Sequence, residues 1–343
     1  MLERFEALER RFWLRQSRWR FDRLPPSRRV RLEIGTDGRQ LAFLLSAIHG
    51  AGYGVQLARG PMLFRELLAL RRCVPLAARV DARDVGCALT LSDASQANGI
   101  SVQLSYDVFS PGSSGQHMPY FMHPMIYYNG AHQAPWVPVP DEDVSRQIRI
   151  GFFGTYDPGF YSNLYKFSGL NRTQVLHEFF AKYGIEFATV PASVPVRFGV
   201  SIDNKGGDQG KKYLSQHTYL QTLRNSAFVL CLPGFCMPLS HSLIEALYCG
   251  AIPITNAHTW MHPPLRHGVE ALTFETRKEF HAAIHEALAM PEPRVQAMRH
   301  AVASYYREHL EPESWWRRFV KSSATMLLVN AEELSVPLMA ISG

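Results

Sequence analysis

The chain has no run that approaches the roughly 18 uninterrupted apolar residues of a membrane-spanning helix, so no span is expected. Its first residues lack the apolar core of an export signal because arginine recurs every few positions, and a cytoplasmic location is the expectation. Five cysteines in 343 residues (Cys73, Cys87, Cys231, Cys236 and Cys249) contain no CxxC pair, and an odd number so spaced argues against a disulfide framework or a zinc site. No GxGxxG opens any strand–helix unit, which disfavours a dinucleotide dehydrogenase. There is also little excess charge outside one short segment. Lys+Arg 36 against Asp+Glu 30 leaves +6, and residues 1–31, with ten Arg against Glu3, Glu6, Glu9 and Asp22, carry all of it. A nucleic-acid footprint spread over the whole molecule is therefore not expected.

What is present is ordinary globular usage, 46% hydrophobic and 19% charged, at about two domains' length by the rough 150-residue prior. Residues 1–24 place Phe5, Leu8, Phe12 and Trp19 at helical spacing among arginines. This predicts an amphipathic basic helix suited either to an anionic membrane surface or to its own domain. Residues 25–140 alternate strands and helices: strands at 30–34, 54–57, 85–91 and 100–104, helices at 40–48 and 62–70. The proline-rich stretch around Pro135, Pro138 and Pro140 marks a linker. The alternation resumes over 141–311, with strands at 148–153, 186–190, 227–232 and 251–255, a Gly-rich loop at 203–212, and helices at 173–183, 216–225 and 239–248. Helices are also expected at 277–290 and 294–308, and a further one at 313–328 makes residues 312–343 a segment able to cross back to the first domain. The fold class is α/β, with two Rossmann-like doubly wound domains facing a cleft.

Chemistry concentrates in Tyr213 to Thr255. A buried strand leads through Pro233-Gly234 into a helix that opens at Ser240-His241-Ser242 and carries Glu245 one turn in. In an open α/β sheet, ligands bind beyond the carboxyl ends of the strands, and a helix start there offers N–H groups to a phosphate. Ser240, His241 and Ser242 add side-chain donors, and Glu245 can accept the hydroxyls of a ribose. Arg172, Lys205, Lys211, Lys212 and Arg224 are candidate cations for a leaving phosphate, and Gly154-Thr155 follow a strand where they can approach the donor.

Three motifs are set aside. Gly206 and Gly210 are too close for a P-loop, and Lys212 stands where magnesium needs Ser or Thr. Asp141-Glu142-Asp143 lies in the linker rather than at the end of a buried strand, and His258, His262 and His267 have no helical zinc spacing.

The set Tyr219-Leu220, Ser226-Ala-Phe228, Leu230-Cys-Leu-Pro233-Gly234, Pro238, Ile244-Glu245-Ala-Leu247 and Gly250-Ala-Ile-Pro253 resembles the nucleotide-sugar domain of GT-B glycosyltransferases, especially the exostosin-like group and related bacterial polysaccharide transferases. The resemblance implies that Glu245 contacts the donor ribose and that Gly234 with Ser240 to Ser242 contacts its phosphates. Tyr120-Phe-Met-His-Pro124 is reminiscent of bacterial members. Retaining members often carry two glutamates separated by seven intervening residues, but Met237 occupies the position eight before Glu245, which favours inversion. The expectation is transfer of a sugar from a nucleotide sugar to a hydroxyl of a glycan or lipid-linked acceptor of the bacterial surface-polysaccharide type, with no metal. Asp37, in the turn after the first strand, is the candidate general base, with Asp93 and His123 as rivals. A non-catalytic nucleotide- or glycan-binding module and a sugar-nucleotide epimerase are the alternatives.

Overall fold

The computed structural model describes residues 2–34, 42–58, 77–81, 83, 85–93, 102–108, 115–118, 146–156, 169–183, 196–203, 216–234 and 238–329. The chain divides into two compact units, Met1–Pro135 with Leu310–Gly343, and Trp136–His309.

In the first unit a long helix α1 (Leu2–Asp22) precedes strand β1 (Arg29–Glu33), helix α2 (Ala42–Gly50), and strands β2 (Gly54–Leu57), β3 (Ala78–Val80), β4 (Leu89–Ser92), β5 (Val102–Ser105) and β6 (Gln116–His117). β1 to β4 and their neighbours pair in parallel in the order β3-β2-β1-β4-β5. The chain leaves β1 towards β2 and β3 on one side and places β4 on the other. The strand order therefore reverses at the β1/β4 boundary, as it does in a doubly wound sheet.

α1 packs its C-terminal half against this sheet. Ser17 and Phe21 are buried there, and Gly54 lets the helix end approach, since a Cβ at that position would fall 2.6 Å from Leu24 Cδ1 and 2.8 Å from Phe21 Cδ2. The opposite face carries Phe12 and Trp19, 68% and 54% exposed, with the Arg23 guanidinium 3.8 Å over the Trp19 ring.

The second unit contains β7 (Ile148–Thr155), α3 (Arg172–Tyr183), β8 (Val196–Asp203), α4 (Gln216–Arg224), β9 (Ser226–Leu230), α5 (His241–Tyr248), β10 (Ile252–Thr255), β11 (Leu272–Thr273), α6 (Arg277–Ala289) and α7 (Glu292–Tyr305). Its five strands are parallel in the order β11-β10-β9-β7-β8. β7 and β9 are neighbours although β8 lies between them in sequence, so the strand order reverses at the β7/β9 boundary. At the amino-terminal side of this sheet, Arg146 donates to the carbonyls of Leu223 (3.3 Å), Ser226 (2.7 Å) and Cys249 (3.1 Å), tying the ends of α4 and α5 to the start of β9. Burial lowers its guanidinium to about 9.

The chain then returns to the first unit. Helix α8 (Pro312–Lys321) buries Trp315, Trp316 and Phe319 and packs against α2, and strand β12 (Met326–Leu328) inserts between β5 and β6, parallel to both.

Two expectations are corrected. The helix expected over 313–328 stops at Lys321: Ser322 takes extended backbone (φ −76°, ψ 156°), and Met326 to Leu328 gain sheet partners that a helix would forgo. The strand paired with β7 is Val196–Asp203, running into the start of the expected Gly-rich loop; its Val196, Phe198, Val200 and Ile202 alternate with period two. The expected strand at 186–190 and helix at 62–70 lie outside the described residues.

Candidate functional site

In a doubly wound sheet the crevice forms where the strand order reverses, beyond the carboxyl ends of the two strands that flank the reversal. In the second unit these are β7, ending at Thr155, and β9, followed by Cys231, Leu232, Pro233 and Gly234. One side chain spans the gap. Arg172 is buried, and it donates from Nε to the Pro233 carbonyl (3.0 Å), from one terminal nitrogen to the Thr155 carbonyl (3.4 Å), and from the other to the Leu232 carbonyl (3.4 Å). Sequence reasoning proposed Arg172 for a leaving phosphate. The structure directs these three donors at the backbone of the crevice walls, so Arg172 braces the crevice; contact with a phosphate through its remaining N–H groups stays an expectation.

The local sequence explains how Arg172 is delivered. Gly169 takes a left-handed φ of +100°, and Asn171 caps α3: its Oδ1 accepts from the Gln174 N–H (2.9 Å) while Gln174 Oε1 accepts from the Asn171 N–H (3.0 Å). This reciprocal pair is a capping box built from Asn and Gln. Arg172 is then the first helical residue. The loop before it is held by Asn256, just past β10, whose Nδ2 donates to the Leu170 carbonyl (2.7 Å). Asn256 Oδ1 and Thr173 Oγ1 are buried with no hydrogen-bond partner among the described residues. Sequence reasoning missed Asn256, although a position directly after a buried strand is the signal that singled out Gly154 and Thr155, which the structure makes the last two residues of β7 itself.

The start of α5 lies on the same edge, after β9. Ser240 occupies the N-cap position (φ −123°, ψ 154°), but its hydroxyl does not cap the helix and pairs with the Ser242 hydroxyl at 2.7 Å. The first-turn N–H groups are therefore not closed off by the cap side chain, which suits an external anion. The side chain of His241, 49% exposed, is tethered through Nδ1 to Glu245 Oε2 (2.8 Å), one turn along.

Glu245 sits deeper than the sequence suggests, with its side chain only 5% exposed. Oε2 accepts from His241 and from the Tyr219 hydroxyl (2.7 Å); among the described residues no donor reaches Oε1. Burial, then the adjacent carboxylate, raises the Tyr219 phenol well above its usual range, so it stays a donor. Cys231 and Cys249 pack around the same cluster as buried thiols; burial pushes Cys249 up to about 12.

Pro233, Gly234, Ser240, His241, Ser242, Arg172, Gly154 and Thr155 thus fall on one edge of a single sheet. Arg224 does not: it ends α4 before β9, at the opposite edge, 5.9 Å from the Tyr248 ring at the far end of α5. Lys205, Lys211, Lys212, Asp37 and His123 lie outside the described residues, as do residues 235–237 of the loop entering α5. In the first unit Asp93 directly follows β4 beside the end of β1, its N–H meeting the Glu33 carbonyl (3.4 Å), at that sheet's own point of reversal.

Fold and site define an α/β protein of two Rossmann-like units, the second with an anion-suited crevice at its strand-order reversal. No protein-family model and no curated protein sequence matches the chain. Among solved structures it is similar to Anabaena Alr3699/HepE in complex with UDP, at 10% identity and a TM-score of 0.43, over 85% of this chain and 98% of that one. It is also similar to AviGT4, a glycosyltransferase involved in avilamycin A biosynthesis (14%, 0.36, 86% and 96%), and to an α1,3-fucosyltransferase (10%, 0.35, 86% and 89%). No helix among the described residues is long and apolar enough to cross a membrane.

Proposed function

We propose that the protein is a GT-B glycosyltransferase that holds a nucleotide-sugar donor on its second unit and transfers the sugar to a hydroxyl of a glycan or lipid-linked acceptor. The observation that supports this reading is the crevice between β7 and β9, braced by Arg172 and flanked by the uncapped start of α5.

In this reading the donor diphosphate rests on the first-turn N–H groups of α5 and the Gly234 N–H, beside Pro233, which shapes the turn but has no N–H to offer. Ser240 and Ser242 turn their shared hydroxyl pair toward the diphosphate. His241, whose Nδ1–H is held by Glu245, adds a donor through Nε2 in its protonated form where negative charge grows as the glycosidic C–O bond breaks. Lys212 supplies further charge, and Thr155 and Gly154 line the opposite wall. Glu245 acts through His241 and offers Oε1 to a ribose hydroxyl. Asp37 takes the acceptor proton as the acceptor oxygen attacks the anomeric carbon from the face opposite the leaving diphosphate, giving inversion. N–H donors and cations supply the compensation that a metal gives elsewhere, so no metal is needed in this scheme.

The acceptor is of the bacterial surface-polysaccharide type, lipopolysaccharide included, made at the cytoplasmic face of the membrane. α1 supports that location: its exposed Phe12 and Trp19 lie among Arg15, Arg18 and Arg23 on the face away from the sheet, and each basic residue near an anionic bilayer contributes about 1 kcal/mol.

Thermal-shift screening of nucleotides, with UDP first, followed by sugar transfer assays with and without EDTA, tests the proposal. One nucleotide family stabilising the protein and chelator-insensitive transfer are expected. Absence of any nucleotide effect rejects the donor site, and loss of transfer in EDTA rejects the metal-free scheme.

A further inference from the structure

A cavity of about 500 Å³ lies in the first unit. Arg29 at the start of β1, Leu89 at the start of β4, Val102 at the start of β5 and Thr325 just before β12 line it, so it opens at the amino-terminal edge of that sheet. Glu33 and Asp93 mark the other edge, where the strands end. The cavity is therefore separate from any site at the strand-order reversal of its own sheet, and it belongs to a different unit from the α5 crevice.

Its lining is one-sided in charge. Arg29, Arg317 and Lys321 contribute, with hydroxyls from Ser323 and Thr325, and no carboxylate is among the described lining residues. Arg29 donates to the backbone carbonyls of Leu24 (2.9 Å), Val85 (3.1 Å) and Asp22 (3.1 Å) and lies 5.3 Å over the Phe21 ring, with no carboxylate among these partners. The Asp22 carboxylate is engaged by Arg18 and Arg79 instead. Arg317 has an exposed partner in Glu313, while the Lys321 side chain has no ion pair or hydrogen bond among the described residues. Cations in the last turn of α8 complement its dipole, which accounts for Lys321 by itself. It does not account for a third cation arriving from β1, nor for a cavity between them walled by Leu89 and Val102.

We infer that this cavity binds a phosphate group carried on an organic body, with Lys321, Arg317 and Arg29 at the phosphate and the hydroxyls of Ser323 and Thr325 beside it. A volume of this order accommodates a small phosphorylated molecule. The phosphate can belong to a free metabolite or to a lipid headgroup, and two arms of one experiment separate these sources.

In the first arm, pyrophosphate is titrated into the full chain by calorimetry; in the second, the chain is sedimented with phosphatidylcholine vesicles with and without phosphatidic acid. Lys321→Gln, which removes an unpaired exposed charge, is compared with Lys182→Gln on α3 as a charge-matched control, and with Ser242→Glu, which blocks the α5 crevice. Saturable pyrophosphate binding weakened about tenfold by Lys321→Gln, and unchanged in both controls, supports the site with a free ligand. Phosphatidate-dependent sedimentation lost in Lys321→Gln but retained in Lys182→Gln and in Trp19→Ala supports it with a lipid headgroup. The inference is overturned if neither probe binds, if binding is lost only in Ser242→Glu, or if Lys321→Gln and Lys182→Gln weaken it equally.

Discussion

Arg172 and Pro233, sixty-one positions apart, are joined by a hydrogen bond of 3.0 Å from the guanidinium Nε to the carbonyl oxygen, across the boundary at which the strand order of the second sheet reverses. The same guanidinium reaches Thr155 at the end of β7. A planar fork holds both strand ends in one fixed geometry, which the rotatable ammonium of a lysine does not impose.

Arg172→Lys is therefore expected to loosen the crevice rather than merely remove charge. Losing charge-assisted bonds to buried carbonyls costs on the order of 2–4 kcal/mol. Thermal unfolding should show that loss, and calorimetry should show nucleotide affinity falling by more than tenfold. A variant that unfolds earlier but binds nucleotide as before would confine Arg172 to stability.

Tyr219→Phe removes one of the two donors on Glu245 Oε2 and leaves a buried carboxylate short of a partner. A stability loss of about 1–3 kcal/mol is expected from denaturant unfolding. His241→Ala keeps the buried tyrosine–carboxylate bond and should lower kcat for transfer with a smaller change in stability. If His241→Ala transfers sugar at the normal rate, the imidazole has no part in stabilising the leaving group.

His49 gives a pH-dependent stability. Its Nε2 accepts from the Ala77 N–H (3.0 Å), so Nδ1 carries the proton and donates to the Tyr53 carbonyl (3.0 Å). Burial is the main cause lowering the ring to about 4. The unfolded chain, with an ordinary histidine, binds more protons between pH 6.5 and 4, so the stabilisation is complete above pH 6.5 and is lost as pH falls towards 4. The loss is on the order of 3 kcal/mol. His49→Gln should be less stable at neutral pH yet flatter across that window; an unchanged slope in denaturant titrations would place the acid sensitivity elsewhere.

Asp37→Asn tests the proposed base. Removing a general base reduces turnover by about 10² to 10⁴ while leaving nucleotide binding intact. Asp93→Asn, at the end of β4, is the paired comparison, and near-normal turnover in the first with loss in the second would transfer the role to Asp93.

Much of the local order was legible in the sequence. Apolar runs bounded by turn residues marked β2, β7, β9 and β10, and the polar opening at Ser240-His241-Ser242 marked the start of α5, because strand burial and helix initiation are set within a few neighbouring residues. The concentration of positive charge before residue 32 was likewise a matter of counting.

Tertiary structure alone decided what those residues do to one another. Whether Met326 to Leu328 continue a helix or enter a sheet depends on vacant hydrogen-bonding edges of β5 and β6, more than two hundred positions away. That Arg172 braces the crevice backbone depends on carbonyls that only the β7/β9 pairing brings within its reach, and whether Glu245 lies open or enclosed depends on Tyr219 from another helix. Local propensity acts through adjacent dihedrals, whereas these outcomes are set by contacts between segments whose separation the linear order does not encode.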